Sequence, residues 1–197
     1  MTSSDTVAPT RREQLKAQRR QQLLDAGARL IADRGFLGMR LDDLGAAAGI
    51  SGPAVYRHFP NKEALLVELL VGISQRLLDG GRAVAAQAPT PAEALDALID
   101  FHLDFALGEP ELIRIQDRDL ENLPDSARRQ VRRTQRQYVE VWVAVLRDRY
   151  PDLPEATARV QAHATFGLIN STPHSAPAAT ATRARPVLRR MALAALG

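Results

Sequence analysis

Along the chain, apolar residues recur at steps of three and four and not at steps of two. Between Arg11 and Arg34 they fall at Leu15, Leu23, Leu24, Ala26, Leu30 and Ile31, which predicts a long first helix stopped by Gly35. Leu41, Leu44 and Ala48 share one face of a short second helix that ends at Gly49. Ser51 is a candidate N-cap and Pro53 suits a first helical turn, so a third short helix begins at Gly52 and runs to Phe59, before Pro60. Asn61 caps a fourth, and its stripe Leu65, Leu66, Leu69, Leu70, Ile73, Leu77 and Leu78 carries it into the mid-80s.

After a joint at Pro89 and Pro91 the pattern continues. Helices are expected over Ala92 to Leu107, from Pro110 through Ile115, from Pro124 to Tyr150, over Ala156 to Asn170 and over Pro186 to Leu196, with a Pro, Ala and Ser-rich connection from Ser171 to Thr182. No run alternates with a period of two, as half-buried strands do. The expected fold is therefore all-α, with about nine helices: a head over residues 11–60, and a body over 61–197 joined to it by the helix 61–85. The polar stretch Met1 to Thr10 is expected to be a mobile tail.

Composition narrows the function. The 197 residues include no Cys, which excludes disulfides, Cys-ligated metal centres and a cysteine nucleophile, and suits the cytoplasm. Apolar runs such as Ala64 to Val71 fall far short of the roughly 20 residues needed to span a bilayer, so no membrane partner is expected. Up to Lys62 there are ten basic residues against six acidic, and beyond it sixteen against seventeen. A basic head fit for a polyanion thus precedes a near-neutral body. The histidines at 58, 102, 163 and 174 lack metal-ligand spacing, and there is neither a Gly-rich phosphate loop nor a Gly-x-Ser-x-Gly elbow. No enzyme activity, metal or cofactor is expected.

The informative block is Leu41 to Leu66. Two short helices meet at Gly49, where a positive φ is easily placed, and the small residues Ala46 to Ala48 let the second cross closely. This is a helix-turn-helix, whose second helix enters the major groove by its N-terminal part. It would present Ser51, Gly52, Pro53, Ala54, Tyr56, Arg57 and His58, while Val55 and Phe59 point inward. The basic stretch Arg11, Arg12, Lys16, Arg19 and Arg20 either touches flanking phosphates or forms a solvated helix face.

At these residues the chain resembles the TetR family of one-component transcriptional regulators. The matching residues are Gly35-Phe36, Leu44, Ala48-Gly49-Ile50-Ser51 and the run Val55-Tyr56-Arg57-His58-Phe59-Pro60-Asn61-Lys62-Glu63-Ala64-Leu65. The resemblance implies a DNA-binding head fused through the fourth helix to a dimerising, effector-sensing body. It implies backbone contacts for Tyr56 and His58, a phosphate contact for Lys62, base-edge positions for Pro53 and Ala54, and leaves Arg57 for guanine or phosphate. Two positions depart from the family. Arg40 stands where Ser or Thr usually caps the second helix, though it could still hold a phosphate, and Gly45 stands for the usual Ala and is expected to loosen that helix.

The body should dimerise, because one short reading helix makes few contacts and two heads about 34 to 36 Å apart address successive grooves. The last two helices are the interface candidates, through Ala158, Ala162, Phe166, Ile169, Val187 and Met191. Effector-binding candidates are Phe105, Gln116, Tyr138, Trp142, Phe166 and Asn170, with His102, His163 and Asn170 to Ser175 as further polar interruptions. Few charges break the line Tyr138 to Leu146, which favours a largely apolar effector. Five arginines between Arg128 and Arg136 could hold a phosphorylated handle such as that of coenzyme A, or pair with Asp117, Asp119, Glu121 and Asp125. The expected partners are thus a double-stranded palindromic operator, a small effector, either an acyl-CoA or a lipid intermediate, and a second copy of the chain. The expected action is repression lifted when the effector swings the fourth helix. The alternative is a helical protein- or membrane-interaction module that uses the basic first helix as an amphipathic surface.

Overall fold

The computed structural model describes residues 10–171 and 181–197, and every regular element among them is helical. The elements are α1 (Arg11–Gly38), α2 (Leu41–Ala48), α3 (Gly52–Tyr56), α4 (Lys62–Gln87), α5 (Pro91–Gly108), α6 (Pro110–Asp119), a 3-10 turn (Leu120–Asn122), α7 (Asp125–Arg149), α8 (Glu155–Asn170) and α9 (Ala181–Leu196). The expected all-α architecture stands, with nine α-helices among the described residues.

Local capping explains several boundaries. Thr10 belongs to the fold and not to a tail: its hydroxyl accepts the Glu13 N–H at 3.3 Å while Glu13 Oε2 accepts the Thr10 N–H at 2.7 Å, a complete capping box. Asn61 accepts the Ala64 N–H at 2.8 Å, and Thr90 accepts that of Glu93 at 3.2 Å. The third helix is shorter than expected, because its regular part ends at Tyr56. The last helix is longer, beginning five residues before Pro186. Ion pairs on both sides of that proline hold it to α5: Arg185 to Asp100 and Asp104, Arg189 to Asp96 and Asp100. Of the expected Ser171 to Thr182 connection, residues 172–180 lie outside the described part.

One apolar core runs through head and body. The head contributes Leu23, Ile31, Met39, Leu44, Val55 and Phe59, all sealed from solvent, and α4 continues the core with Leu65, Leu66 and Leu70. α4 then packs against α5 and α7. Its adjacent Gly80 and Gly81 make that approach possible, since a Cβ at Gly80 would overlap the Phe101 ring and one at Gly81 the Tyr138 ring. Each glycine costs helix stability by up to about 1 kcal/mol relative to Ala, so close packing has overridden local propensity. No described helix is long and apolar enough to cross a membrane.

Candidate functional site

The reading unit is built around Gly49, whose φ of 65° lets α2 turn into α3. The Ile50 N–H then reaches the Gly45 carbonyl at 2.9 Å. Gly45 does not merely loosen α2: a Cβ there would sit 2.9 Å from the Ile50 oxygen and 3.3 Å from Val55 Cγ2. A missing methyl is what allows the turn to close on the helix.

α3 lies over the sealed side chains of Val55 and Phe59. On its outside Ser51, Pro53, Tyr56 and Arg57 are exposed, with Gly52, Ala54 and His58 half-buried. Tyr56 is 49% exposed, a large aromatic left in water. The Ser51 hydroxyl makes no capping bond and stays available. The His58 pKa is lowered from the ordinary histidine value, first by burial and then by the cations Arg20, Lys16, Arg57 and Arg19 around it.

Arg40 is exposed, and an arginine cannot accept the bonds that a Ser or Thr cap would. α2 is nevertheless not uncapped, because Asp43 accepts the Arg40 backbone N–H at 3.3 Å and is itself paired with Arg34 at 2.9 Å. Arg20 is withdrawn from the basic stretch: it forks onto Glu68, donates to the His58 carbonyl at 3.1 Å and covers the Phe59 ring. Arg11, Arg12, Lys16 and Arg19 remain exposed.

Lys62 departs from its expected role. Its ammonium donates to the carbonyls of Phe36, Leu37 and Met39 at 3.0, 3.1 and 3.4 Å and lies over the Phe36 ring. All three protons close the end of α1, so none is left for a phosphate. At this same corner Gly35 adopts φ 77° and ψ 156°, and α6 reaches across from the body. Arg118 donates to the carbonyls of Ile31 and Ala32, while the buried Asp119 accepts the Phe36 N–H at 3.2 Å and the Arg118 Nε at 3.0 Å. Sequence reading missed this clamp, because a charged pair at a helix end looks like surface.

In the body, α5, α7 and α8 bring Tyr138, Trp142, Phe166 and Asn170 around His102. The Phe166 ring stacks on Tyr138 at 5.5 Å and meets Trp142 edge-on at 5.0 Å. His102 Nε2 lies 3.1 Å from Asn170 Oδ1, and its Nδ1 lies 3.3 Å from the Tyr138 hydroxyl. Burial lowers the His102 pKa to about 4 and raises that of Tyr138. Phe105 borders the group, 5.8 Å from the His102 ring. Gln116, half-buried on α6, makes no hydrogen bond to it among the described residues. His102 is the hub, and its place on an apolar helix face was the available signal. Of the polar cluster running on to Ser175, residues 172–175 lie outside the described part. Arg128 and Arg132 are paired with Glu121, and Arg128 also with Asp125, leaving Arg129, Arg133 and Arg136 on the outer face of α7.

The interface candidates divide. Ala158, Ala162 and Ile169 are fully buried within the single chain and have no surface left for a partner, and Phe166 is part of the aromatic stack. Val187 and Met191 are exposed, and α8 adds the exposed Val160, which the sequence pattern did not single out.

Comparison with known proteins places this geometry. Residues 23–69 match the family described as bacterial regulatory proteins, tetR family, and residues 88–174 match the tetracyclin repressor-like C-terminal domain. The HTH-type transcriptional repressor KstR2 of Rhodococcus jostii is 28% identical over 132 residues, 66% of this chain and 65% of the relative. The chain therefore covers slightly less than two thirds of that protein's length. The ketosteroid regulator KstR2 of Mycobacterium tuberculosis has the same fold at a TM-score of 0.77, with 22% identity over 91% of this chain and 93% of that one. AibR, solved with isovaleryl coenzyme A and operator DNA, superposes at 0.70 with 19% identity over 88% and 97%. With both its head and its body matched, the chain belongs to the TetR family of bacterial transcriptional regulators, a family of regulators and not of enzymes.

Proposed function

We propose that the protein is a cytoplasmic, dimeric repressor that holds a palindromic operator and leaves it when a small, largely apolar effector binds the body. The observation that carries this reading is the outer surface of α3: Ser51, Pro53, Tyr56 and Arg57 stand exposed over a sealed Val55 and Phe59. A short helix held on its own core and offering one hydroxyl, one phenol and one guanidinium is suited to a major groove. Residues 11–60 form the DNA-binding unit and 61–197 the effector-binding and dimerising unit.

In this reading Pro53 and Ala54 meet base edges, Tyr56 and His58 meet the backbone, and Arg57 takes guanine or phosphate. Arg40 supplies an exposed cation at the start of α2. Lys62 is reassigned to holding the α1–α2 corner. The dimer forms through Val160, Val187 and Met191 on α8 and α9. The effector class, an acyl-CoA or related lipid intermediate, is supported by the aromatic cluster around His102 and by the isovaleryl coenzyme A held by AibR. Effector binding shifts the population toward a conformation in which α4 swings, and the Arg118–Asp119 contact carries the displacement of α6 to the end of α1.

The test is an anisotropy titration of the full chain against DNA from its own upstream region at two salt concentrations, with and without decanoyl-CoA. Saturable, palindrome-dependent binding that Tyr56→Ala abolishes, and that decanoyl-CoA weakens, is the expected result. Binding with no sequence preference at either salt would reduce the helix-turn-helix to a fold and favour the interaction-module alternative.

A further inference from the structure

Trp142 is completely buried, yet its indole Nε1 has no hydrogen-bond partner. It is near enough to the Tyr138 phenol to bias its ionisation, but the two do not reach hydrogen-bond geometry. An unmet N–H in an apolar interior is costly and uncommon in native cores. This one lies in a cage of rings, edge-on to His102 at 6.1 Å, to Tyr138 at 6.3 Å and to Phe166 at 5.0 Å.

His102 is hydrogen-bonded at both ring nitrogens, to Asn170 Oδ1 and to the Tyr138 hydroxyl. Asn170 Oδ1 only accepts, which fixes a proton on His102 Nε2; Nδ1 is then the acceptor of the Tyr138 hydroxyl proton. Among the described residues the fully buried donor of the cage that has no partner is Trp142 Nε1. A ligand group recognised here must therefore bring an acceptor. That acceptor must also be neutral, because the buried polar residues among those described are Ser74, His102, Asp119, Thr134 and Thr165, with no Lys or Arg. His102, with its pKa near 4, supplies no positive charge at neutral pH. An ionised carboxylate would lose its water and gain no counter-charge.

A route is at hand. A hollow of about 280 Å³ on the α4–α5 surface is lined by Ile73, Leu77, Phe101 and Phe105, together with Asp104 and the ion pair Arg76–Glu109. Phe105 lines this hollow and its ring also lies 5.8 Å from that of His102, so one side chain borders both the hollow and the cage. A coenzyme A thioester meets both demands, with a neutral carbonyl inside and its charged end left in solvent.

Resting on the effector reading above, we propose that the effector presents a neutral hydrogen-bond-accepting oxygen, such as a thioester or ketone carbonyl on an apolar frame, to Trp142 Nε1. Trp142 is the sole tryptophan of the chain, so its own emission reports the bond. The experiment titrates the full-length protein with decanoyl-CoA, methyl nonyl ketone, ionised decanoate and decane, reading tryptophan emission and, separately, operator release. The thioester and the ketone are expected to bind and red-shift the emission, while decanoate and decane leave it unmoved. Trp142→Phe should weaken the ketone about tenfold in calorimetry, the loss of one buried hydrogen bond. Decanoate binding as tightly as the ketone, unchanged ketone affinity in Trp142→Phe, or no emission shift with either carbonyl compound would each overturn the proposal. If Trp142→Phe does not fold, the wild-type emission comparison decides alone. Binding with the expected shift but without operator release would uphold the ligand class and refute the regulatory reading.

Discussion

The carboxylate of Asp119, at the end of α6, accepts the backbone N–H of Phe36, in the corner that leads into α2, at 3.2 Å. The two residues are 83 positions apart in sequence. Gly35 turns the chain out of the helix just before Phe36, so that N–H has no helical acceptor, and Asp119 supplies one from the other domain. Replacing Asp119 with Ala leaves a buried donor unmet and removes the carboxylate that pairs with Arg118. The expected cost is about 2 kcal/mol in urea-induced unfolding, and operator affinity should fall because the head is less firmly oriented. Unchanged stability would show that the corner holds without the clamp.

Lys62 separates a structural from a DNA-contacting role. Its three carbonyl bonds predict that Lys62→Ala loses about 2 kcal/mol of stability. The dependence of operator affinity on salt should keep its slope, since no phosphate contact is removed. A slope reduced by about 1 in a titration across salt concentrations would return Lys62 to the phosphates.

Acid should unfold the body through His102. Its folded pKa of about 4 lies below the ordinary histidine value, so between about pH 6.5 and 4 the unfolded chain binds the proton and the folded one does not. Stability from this group is complete above pH 6.5, falls as pH drops toward 4 and changes no further below. The total is on the order of 3 kcal/mol. Urea midpoints measured at pH 7 and pH 5 should converge for His102→Gln relative to the wild type; equal pH dependence in both would place the acid sensitivity elsewhere.

The surface of α8 and α9 can be tested by charge. The double variant Val187→Asp and Met191→Asp changes two exposed side chains, so helicity should stay at the wild-type level while sedimentation velocity reports a monomer. Operator affinity should then drop by at least about a hundredfold, as one head alone makes too few contacts. A dimer that persists would move the interface to another face.

The hydrophobic period, the caps at Asn61 and the turn at Gly49 sufficed to delimit nearly every helix and to identify α2–α3 as a reading unit. These are local signals. Apolar spacing declares which stripe of a helix is buried, and a glycine at a turn declares a positive φ, whatever surrounds them. The motif from Val55 to Leu65 added the family.

What covers each stripe was decided only in three dimensions. Ala158 and Ala162 suit a close helix crossing within a chain as well as between chains, and only the fold turned them inward. Gly45 reads as a weak helix former until the Ile50 carbonyl is seen against it, and Gly80 and Gly81 until Phe101 and Tyr138 are. Lys62 and Asp119 carry charges that sequence assigns to solvent or DNA, yet the broken end of α1 offers three carbonyls and an N–H that nothing local can satisfy. Long side chains from distant helices close them. A backbone group left without a partner by one segment can be met by another far along the chain, and no periodicity in the sequence records that pairing.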